Sequence, residues 1–197
     1  MMNGYRQTEG IAGMFSKDRF VEDCRGAICD GQKAIRALVE EAVADPAALL
    51  RELGEPEHAG IVPLYRAPDL TIINFTWAPC MSLFPHDHHM FAVIGIYGGR
   101  EDNIFWRRTE SGIEAAGAES LGGGSVATLG REIIHSVTNP IAKMTGAIHV
   151  YGGDFFDPPT QRSEWDHETL EERPWNIDSA RRAFREAEER FNAAADL

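Results

Sequence analysis

Cysteine is scarce in this chain: among 197 residues only Cys24, Cys29 and Cys80 occur. An odd and small number excludes a disulfide framework, so stability has to come from a buried core, and a reducing cytoplasm is the expected compartment. No apolar run approaches the ~20 residues that cross a bilayer. The opening MMNGYRQTEG has no charged segment leading into an apolar one, so neither a membrane span nor a secretory leader is expected. A basic surplus is missing too. With 19 Lys and Arg against 31 Asp and Glu the formal net charge is −12, which argues against nucleic acid or an anionic membrane as a partner. Internal repeats and low-complexity stretches are also absent.

What is present is the composition of an ordinary soluble globular protein, 43% hydrophobic and 25% charged, at a length that suits one domain. Three stretches differ in pattern. Residues 16–54 have helical periodicity: Phe20, Val21, Cys24, Ala27 and Ile28 recur on one face, as do Ile35, Leu38, Val39 and Ala42. Asp45 is placed to cap a further helix with Pro46 at its first position and Gly54 at its end. From residue 60 to 158 the period is two. Strands are expected over Leu70–Trp77, Phe91–Tyr97, Asn103–Arg107, Val126–Leu129, Ile133–Val137 and Gly146–Tyr151, with turns at Gly98-Gly99, Gly122-Gly123-Gly124 and Asn139-Pro140. Many short strands without helical interruption indicate a sandwich or small barrel. Residues 159–197 comprise a proline- and charge-bearing arm and a last helix, capped by Asp178 or Ser179, with an apolar stripe of Ala180, Phe184, Ala187 and Phe191.

The chemistry concentrates in the histidines. In Phe84-Pro85-His86-Asp87-His88-His89, strand alternation points His86 and His88 the same way and Asp87 and His89 the other. His89 reaches the same side only if the strand bulges at His88. Two imidazoles facing a barrel interior form half of a metal site. His135, in the apolar strand around Ile133–Val137, is the best candidate for the other half, because an unpaired imidazole there is costly. A His-x-His pair taken alone is weak evidence, since buried histidines are usually just hydrogen-bonded.

His86-x-His88, Gly98 ten residues on and His135-x-x-x-Asn139 together resemble the two cupin motifs, over residues 61–158. The helical lead-in and the segment His149-Val150-Tyr151-Gly152 are similar to bacterial thiol dioxygenases of the cysteine dioxygenase kind, which carry a Ser-x-His-x-Tyr run beside a three-histidine iron. Trp77 also stands where that family has a tryptophan. The resemblance implies a mainly β fold, a cupin double-stranded β-helix or jelly roll with N-terminal helices and a C-terminal helix. It implies a metal held by His86, His88 and His135, with Tyr151 and His149 acting beside it. It implies Arg66 as the clamp for a substrate carboxylate, and Trp77 as part of the pocket.

Most cupins add a glutamate with three or four residues between it and the second histidine; Ala92 and Val93 stand there instead. Three neutral imidazoles leave a ferrous ion its full charge and open positions for a thiolate and dioxygen. Fe(II) is therefore the expected cofactor, although zinc, nickel or manganese can occupy the same ligands. The chain departs from the family in four places: Ala147 replaces the serine, Val93 occupies the place of a cysteine that cross-links to the tyrosine in some members, Cys80 replaces a motif glycine, and Glu132 replaces a glycine of the second cupin motif. Cys80 reads as a small buried residue rather than a nucleophile. Glu101 is either a pocket residue, as an extra ligand or general base, or a turn and rim residue.

The activity so implied is oxidation of a small thiol to a sulfinate with O2. The alternatives are another metal-dependent cupin enzyme, an isomerase or a dioxygenase cleaving carbon bonds, and a non-catalytic cupin that binds a metal and a small molecule.

Overall fold

A computed structural model describes residues 15–195 of the chain. The leading MMNGYRQTEG lies outside the described residues. Three helices come first: α1 (Lys17–Ala27), α2 (Gln32–Val43) and α3 (Pro46–Leu53), with one 3-10 turn at Ile28–Asp30. Ser16 caps α1 and Asp45 caps α3 through side-chain acceptors, with Pro46 at the first turn and Gly54 at the end. Eleven strands follow. They are β1 (Gly60–Arg66), β2 (Thr71–Trp77), β3 (Ser82–Asp87), β4 (Ala92–Gly98), β5 (Arg100–Thr109), β6 (Gly112–Gly122), β7 (Val126–Leu129), β8 (Ile134–Thr138), β9 (Thr145–Tyr151), β10 (Ser163–Trp165) and β11 (Glu172–Pro174). Helix α4 (Ile177–Ala195) closes the described chain. No helix among the described residues is long and apolar enough to cross a membrane.

The strands form two antiparallel sheets, ordered β1-β2-β9-β4-β7 and β11-β10-β3-β8-β5-β6. From β2 to β10 the chain alternates between the sheets except at the β5–β6 hairpin, while β1–β2 and β10–β11 each stay within one sheet, so β2-β9-β4-β7 faces β3-β8-β5-β6. This is a double-stranded β-helix, a jelly roll. Alternation decides what each face buries. Along β9, Ala147 and Tyr151 enter the core between the sheets, while Ile148 and Val150 turn outward. The outward face is covered by α1–α3 through Phe20, Cys24, Ile35, Val39 and Leu49. A strand buried on both faces reads as a continuous apolar run, and β4 and β9 do so. Gly95 on β4 is where α2 comes closest; a methyl group there would overlap the Val39 and Val43 side chains.

The C-terminal helix plugs one end of the barrel. Ala180, Phe184 and Ala187 are buried, and the Phe184 ring lies 5.0 Å from that of Trp77. Phe191, expected in the same stripe, is exposed. The helix starts at Ile177, so neither Asp178 nor Ser179 caps it. Asn176 does, its Oδ1 accepting from the amide of Asp178.

Two other expectations change. Strand β6 was not anticipated, because its Ala- and Gly-rich sequence carries no β-branched alternation. It is an edge strand shaped by pairing to β5 alone. Cys80 is exposed, not buried, and adopts φ 55°, the left-handed conformation that the glycine of the resembling motif would take freely.

Gly95→Ala should destabilise the fold by roughly 1–3 kcal/mol in urea unfolding, through overpacking against α2. Gly26→Ala, with nothing within 4 Å, should instead be neutral or slightly stabilising. Burial pushes the Cys24 thiol up to about 12. Cys29 and Cys80 should therefore react rapidly with a disulfide reagent at mildly alkaline pH, and Cys24 only on unfolding.

Candidate metal centre

The antiparallel pairing of β3 with β8 places His86 directly across from His135, after a bulge between Leu83 and His86. His88, one residue beyond the end of β3, returns to the same face. The three rings form a near-equilateral triangle, with centroids 4.6, 4.9 and 5.0 Å apart. One ligand atom from each lies within 4.8 Å of the others. All three side chains are buried.

Hydrogen bonds settle two of the tautomers. His86 Nδ1 donates to the Phe84 carbonyl at 3.0 Å, and His135 Nδ1 donates to Asn103 Oδ1 at 2.7 Å, so both Nε2 atoms are bare. His88 has no protein partner for Nδ1, and its Nε2 faces His135 Nε2 at 3.4 Å. Without a metal one of these nitrogens can donate to the other, and the same separation suits two ligands of one ion, since nitrogens held at ~2.1 Å from one ion stand a little over 3 Å apart. Burial, together with the neighbouring imidazoles and Arg162, holds His86 and His88 well below the ordinary histidine range. Burial also lowers His135 to about 3, against an upward pull from Glu101. The three are neutral ligands in an enclosed cavity, the form a divalent ion needs. The residues therefore fit a metal. His58 and His89 lie apart. His58 pairs with Glu188 at 2.8 Å, and His89, at φ 52°, faces out to Asp87 at 3.5 Å.

A chain of polar contacts runs from the triad around the barrel wall. Asn103 Nδ2 donates to Glu101 Oε1 at 3.0 Å, Glu101 Oε2 accepts from His149 Nε2 at 3.3 Å, and His149 Nδ1 meets the Tyr151 hydroxyl at 3.1 Å. The Tyr151 ring packs edge-on against His88 at 5.1 Å. Glu101 is fully buried. Burial alone would raise its carboxyl, but the His149 imidazole and the donors from His149 and Asn103 bring it below the usual carboxylate range. Both its oxygens are engaged by these partners, which makes it a wall residue rather than a rim one.

Arg66 is not brought to the triad. It is half-exposed, forks onto Asp154 at 2.9 and 3.0 Å and lies over the Phe156 ring. The guanidinium near the histidines belongs to Arg162, on the arm before β10. It is 1% exposed and sandwiched between the Phe155 and Trp175 rings at 4.5 and 4.2 Å. Its Nε donates to the Asp87 carbonyl and its Nη1 to that of Phe155, while Nη2 has no partner among the described residues. Burial lowers it to about 10, so it stays cationic at neutral pH.

Phe155 and Trp175 also close the cavity whose wall includes His86, His135, Tyr151 and Trp77. The free space is about 10 Å³, room for roughly one water. Trp77 is buried, stacked on Phe75 with centroids 5.3 Å apart. Asn139 has a structural task, donating to the carbonyls of Trp77, Ala78 and Lys143.

Asn103, Arg162 and Trp175 were not singled out from sequence. Asn103 had a signal, since it alternates with Glu101 on one strand. Arg162 and Trp175 had none, because they sit on an arm whose docking no periodicity encodes.

Comparison with known proteins adds fold-level similarity. No protein-family model matches the chain, and no curated protein is detectably similar in sequence. Among solved structures, a Bacillus halodurans protein superposes with TM-score 0.46 and 13% identity, over 53% of this chain and 77% of its own. An RmlC-like cupin family protein from Methanocaldococcus jannaschii with a double-stranded β-helix fold gives TM-score 0.41 and 9% identity, over 48% and 80%. An oxalate oxidase in complex with glycolate gives TM-score 0.41 and 13% identity, with about half of each chain covered (50% and 53%).

Protein made without a histidine tag should bind one equivalent of a divalent metal. His86→Ala, His88→Ala or His135→Ala should abolish binding, and His58→Ala should leave it intact, as read by elemental analysis after dialysis. Asn103→Leu frees His135 Nδ1 and should weaken metal affinity by roughly 10–100-fold in a competitive chelator titration.

Proposed function

We propose that the protein is a non-haem iron oxygenase that oxidises a small thiol carrying a carboxylate to the sulfinate. The overall change is R–SH + O2 → R–SO2H: dioxygen is reduced, sulfur is oxidised, and both oxygen atoms end on sulfur. The observation that carries this reading is a triad of neutral imidazoles, with no carboxylate among the ligands, set beside a buried guanidinium that has an unpartnered N–H. Fe(II) bound by His86, His88 and His135 would supply adjacent open positions for a thiolate and dioxygen.

The chain's own groups divide the remaining work. Arg162, rather than Arg66, offers the cation and the free N–H that a carboxylate accepts from, so it would orient the substrate tail towards the histidines. The Tyr151 ring packs against His88, and its hydroxyl is held by His149. Phe155, Trp175 and Trp77 keep bulk water out, which strengthens each polar contact inside. The free space is smaller than any thiol substrate, so entry requires Trp175 and its arm to move aside. The limited room favours a two- or three-carbon thiol over a larger molecule.

A second reading is a metal-dependent cupin enzyme acting on a small carboxylate without a thiol. The same Arg162 favours it, because the cation is indifferent to the rest of the ligand.

Iron-loaded protein should consume O2 in an electrode with 3-mercaptopropionate or cysteine and yield the corresponding sulfinate. Arg162→Lys should raise KM for these carboxylates by roughly tenfold while changing that for cysteamine little. Absence of O2 uptake across all three thiols overturns the thiol reading, and uptake fastest with cysteamine overturns the role of Arg162.

A further inference from the structure

Ala147 stands where thiol dioxygenases resembling this chain carry the serine that supports the histidine–tyrosine pair. Sequence alone therefore leaves His149 without its neighbour on β9. The structure brings a different group to that imidazole, from the opposite sheet. Glu101, on β5, places Oε2 at 3.3 Å from His149 Nε2, and its other oxygen accepts from Asn103, whose own carbonyl oxygen holds the metal-facing His135. The carboxylate is 0% exposed and has no Lys or Arg in contact; its two polar partners are His149 and Asn103. A buried carboxylate placed so is costly unless each partner is oriented towards it.

We infer that Glu101 is the positioning residue of a Glu101–His149–Tyr151 triad that replaces the missing serine and ties Tyr151 to the metal triad through Asn103 and His135. The reasoning is one of donors and acceptors. An ionised carboxylate only accepts, so it requires the proton of His149 to sit on Nε2. A neutral His149 then has a bare Nδ1, and the Tyr151 hydroxyl, 3.1 Å away, must donate to it. Tyr151 accordingly turns oxygen lone pairs, not its proton, towards the cavity and meets a ligand as an acceptor. This is the arrangement in which a base is oriented by a third group, here with tyrosine as its first member. The same carboxylate holds the Asn103 amide with its nitrogen inward, leaving its oxygen for His135 Nδ1. One buried charge thus sets the tautomers of two imidazoles on two strands of different sheets.

The role of Tyr151 in turnover rests on the reading of the preceding subsection; the tautomer of His149 does not. The test is two-bond 15N–1H correlation NMR of the histidine rings in the full-length protein, with and without added zinc(II). Wild type should show His149 protonated on Nε2. In Glu101→Gln the amide can keep its oxygen towards Asn103 and must turn its NH2 towards His149. The His149 proton should then move to Nδ1, while that of His135 stays on Nδ1. Glu101→Asp, which retains the charge, should restore the Nε2 form. If the iron-loaded enzyme turns over a thiol, Glu101→Gln should lower kcat by roughly 10–100-fold at nearly unchanged metal content, with partial rescue in Glu101→Asp. Wild-type His149 protonated on Nδ1, or an unchanged tautomer in Glu101→Gln, overturns the inference whatever the activity proves to be. Loss of O2 uptake in wild type, with the NMR pattern as expected, overturns only the thiol reading.

Discussion

Three buried imidazoles whose ring nitrogens converge inside an enclosed barrel are the constraint around which the rest of this molecule is arranged. Neutral nitrogens can be buried if each has a partner, and here the partners are a backbone carbonyl for His86 and Asn103 for His135, while His88 has only another imidazole. A cation at the centre would be coordinated by one nitrogen from each ring. The surroundings keep the point accessible to little else. The rings of Phe155 and Trp175 and the plugging helix α4 reduce the free space to about the size of one water. A polar site this enclosed has to be nearly fully paired, and around the triad the exceptions among the described residues are Trp77 Nε1, His88 Nδ1 and Arg162 Nη2.

The jelly roll makes this possible by its connectivity. Because consecutive strands pass from sheet to sheet, β3 and β8 become neighbours although β4 to β7 separate them in the chain. His86 and His135 then face each other across a single antiparallel pair. The second sheet supplies the wall opposite, with His149 and Tyr151 from β9, while Glu101 and Asn103 on β5 span the gap between the two groups. The N-terminal helices serve the same end from outside. By burying the far face of β2, β4 and β9 they let those strands be apolar on one side and chemical on the other.

Electrostatics sharpens the division of labour between the two arginines. Arg66 has a carboxylate partner in Asp154 and remains half in water, where such a pair contributes little. Arg162 has two carbonyls, two aromatic faces and no carboxylate hydrogen-bonded to it. Keeping a guanidinium buried on those terms, with one N–H unpartnered among the described residues, is expensive.

Much of this was legible in the chain itself. Period-two stretches mark β2, β4, β7, β8 and β9, caps mark α3, and alternation puts His86 and His88 on one face, because these are local consequences of backbone geometry. The choice of His135 followed from the cost of an unpaired imidazole in an apolar strand. What sequence could not hold was anything dependent on which strands become neighbours or on where the arm docks. β6 is a strand only because β5 pairs with it, Arg162 stacks between Phe155 and Trp175 only because residues after β9 fold back over β3, and Glu101 meets His149 only because β5 and β9 face one another across the barrel. Side-chain periodicity is a property of a few consecutive residues, whereas the partners of His149 and His135 are set by long-range register, and that is decided by burying the whole core at once.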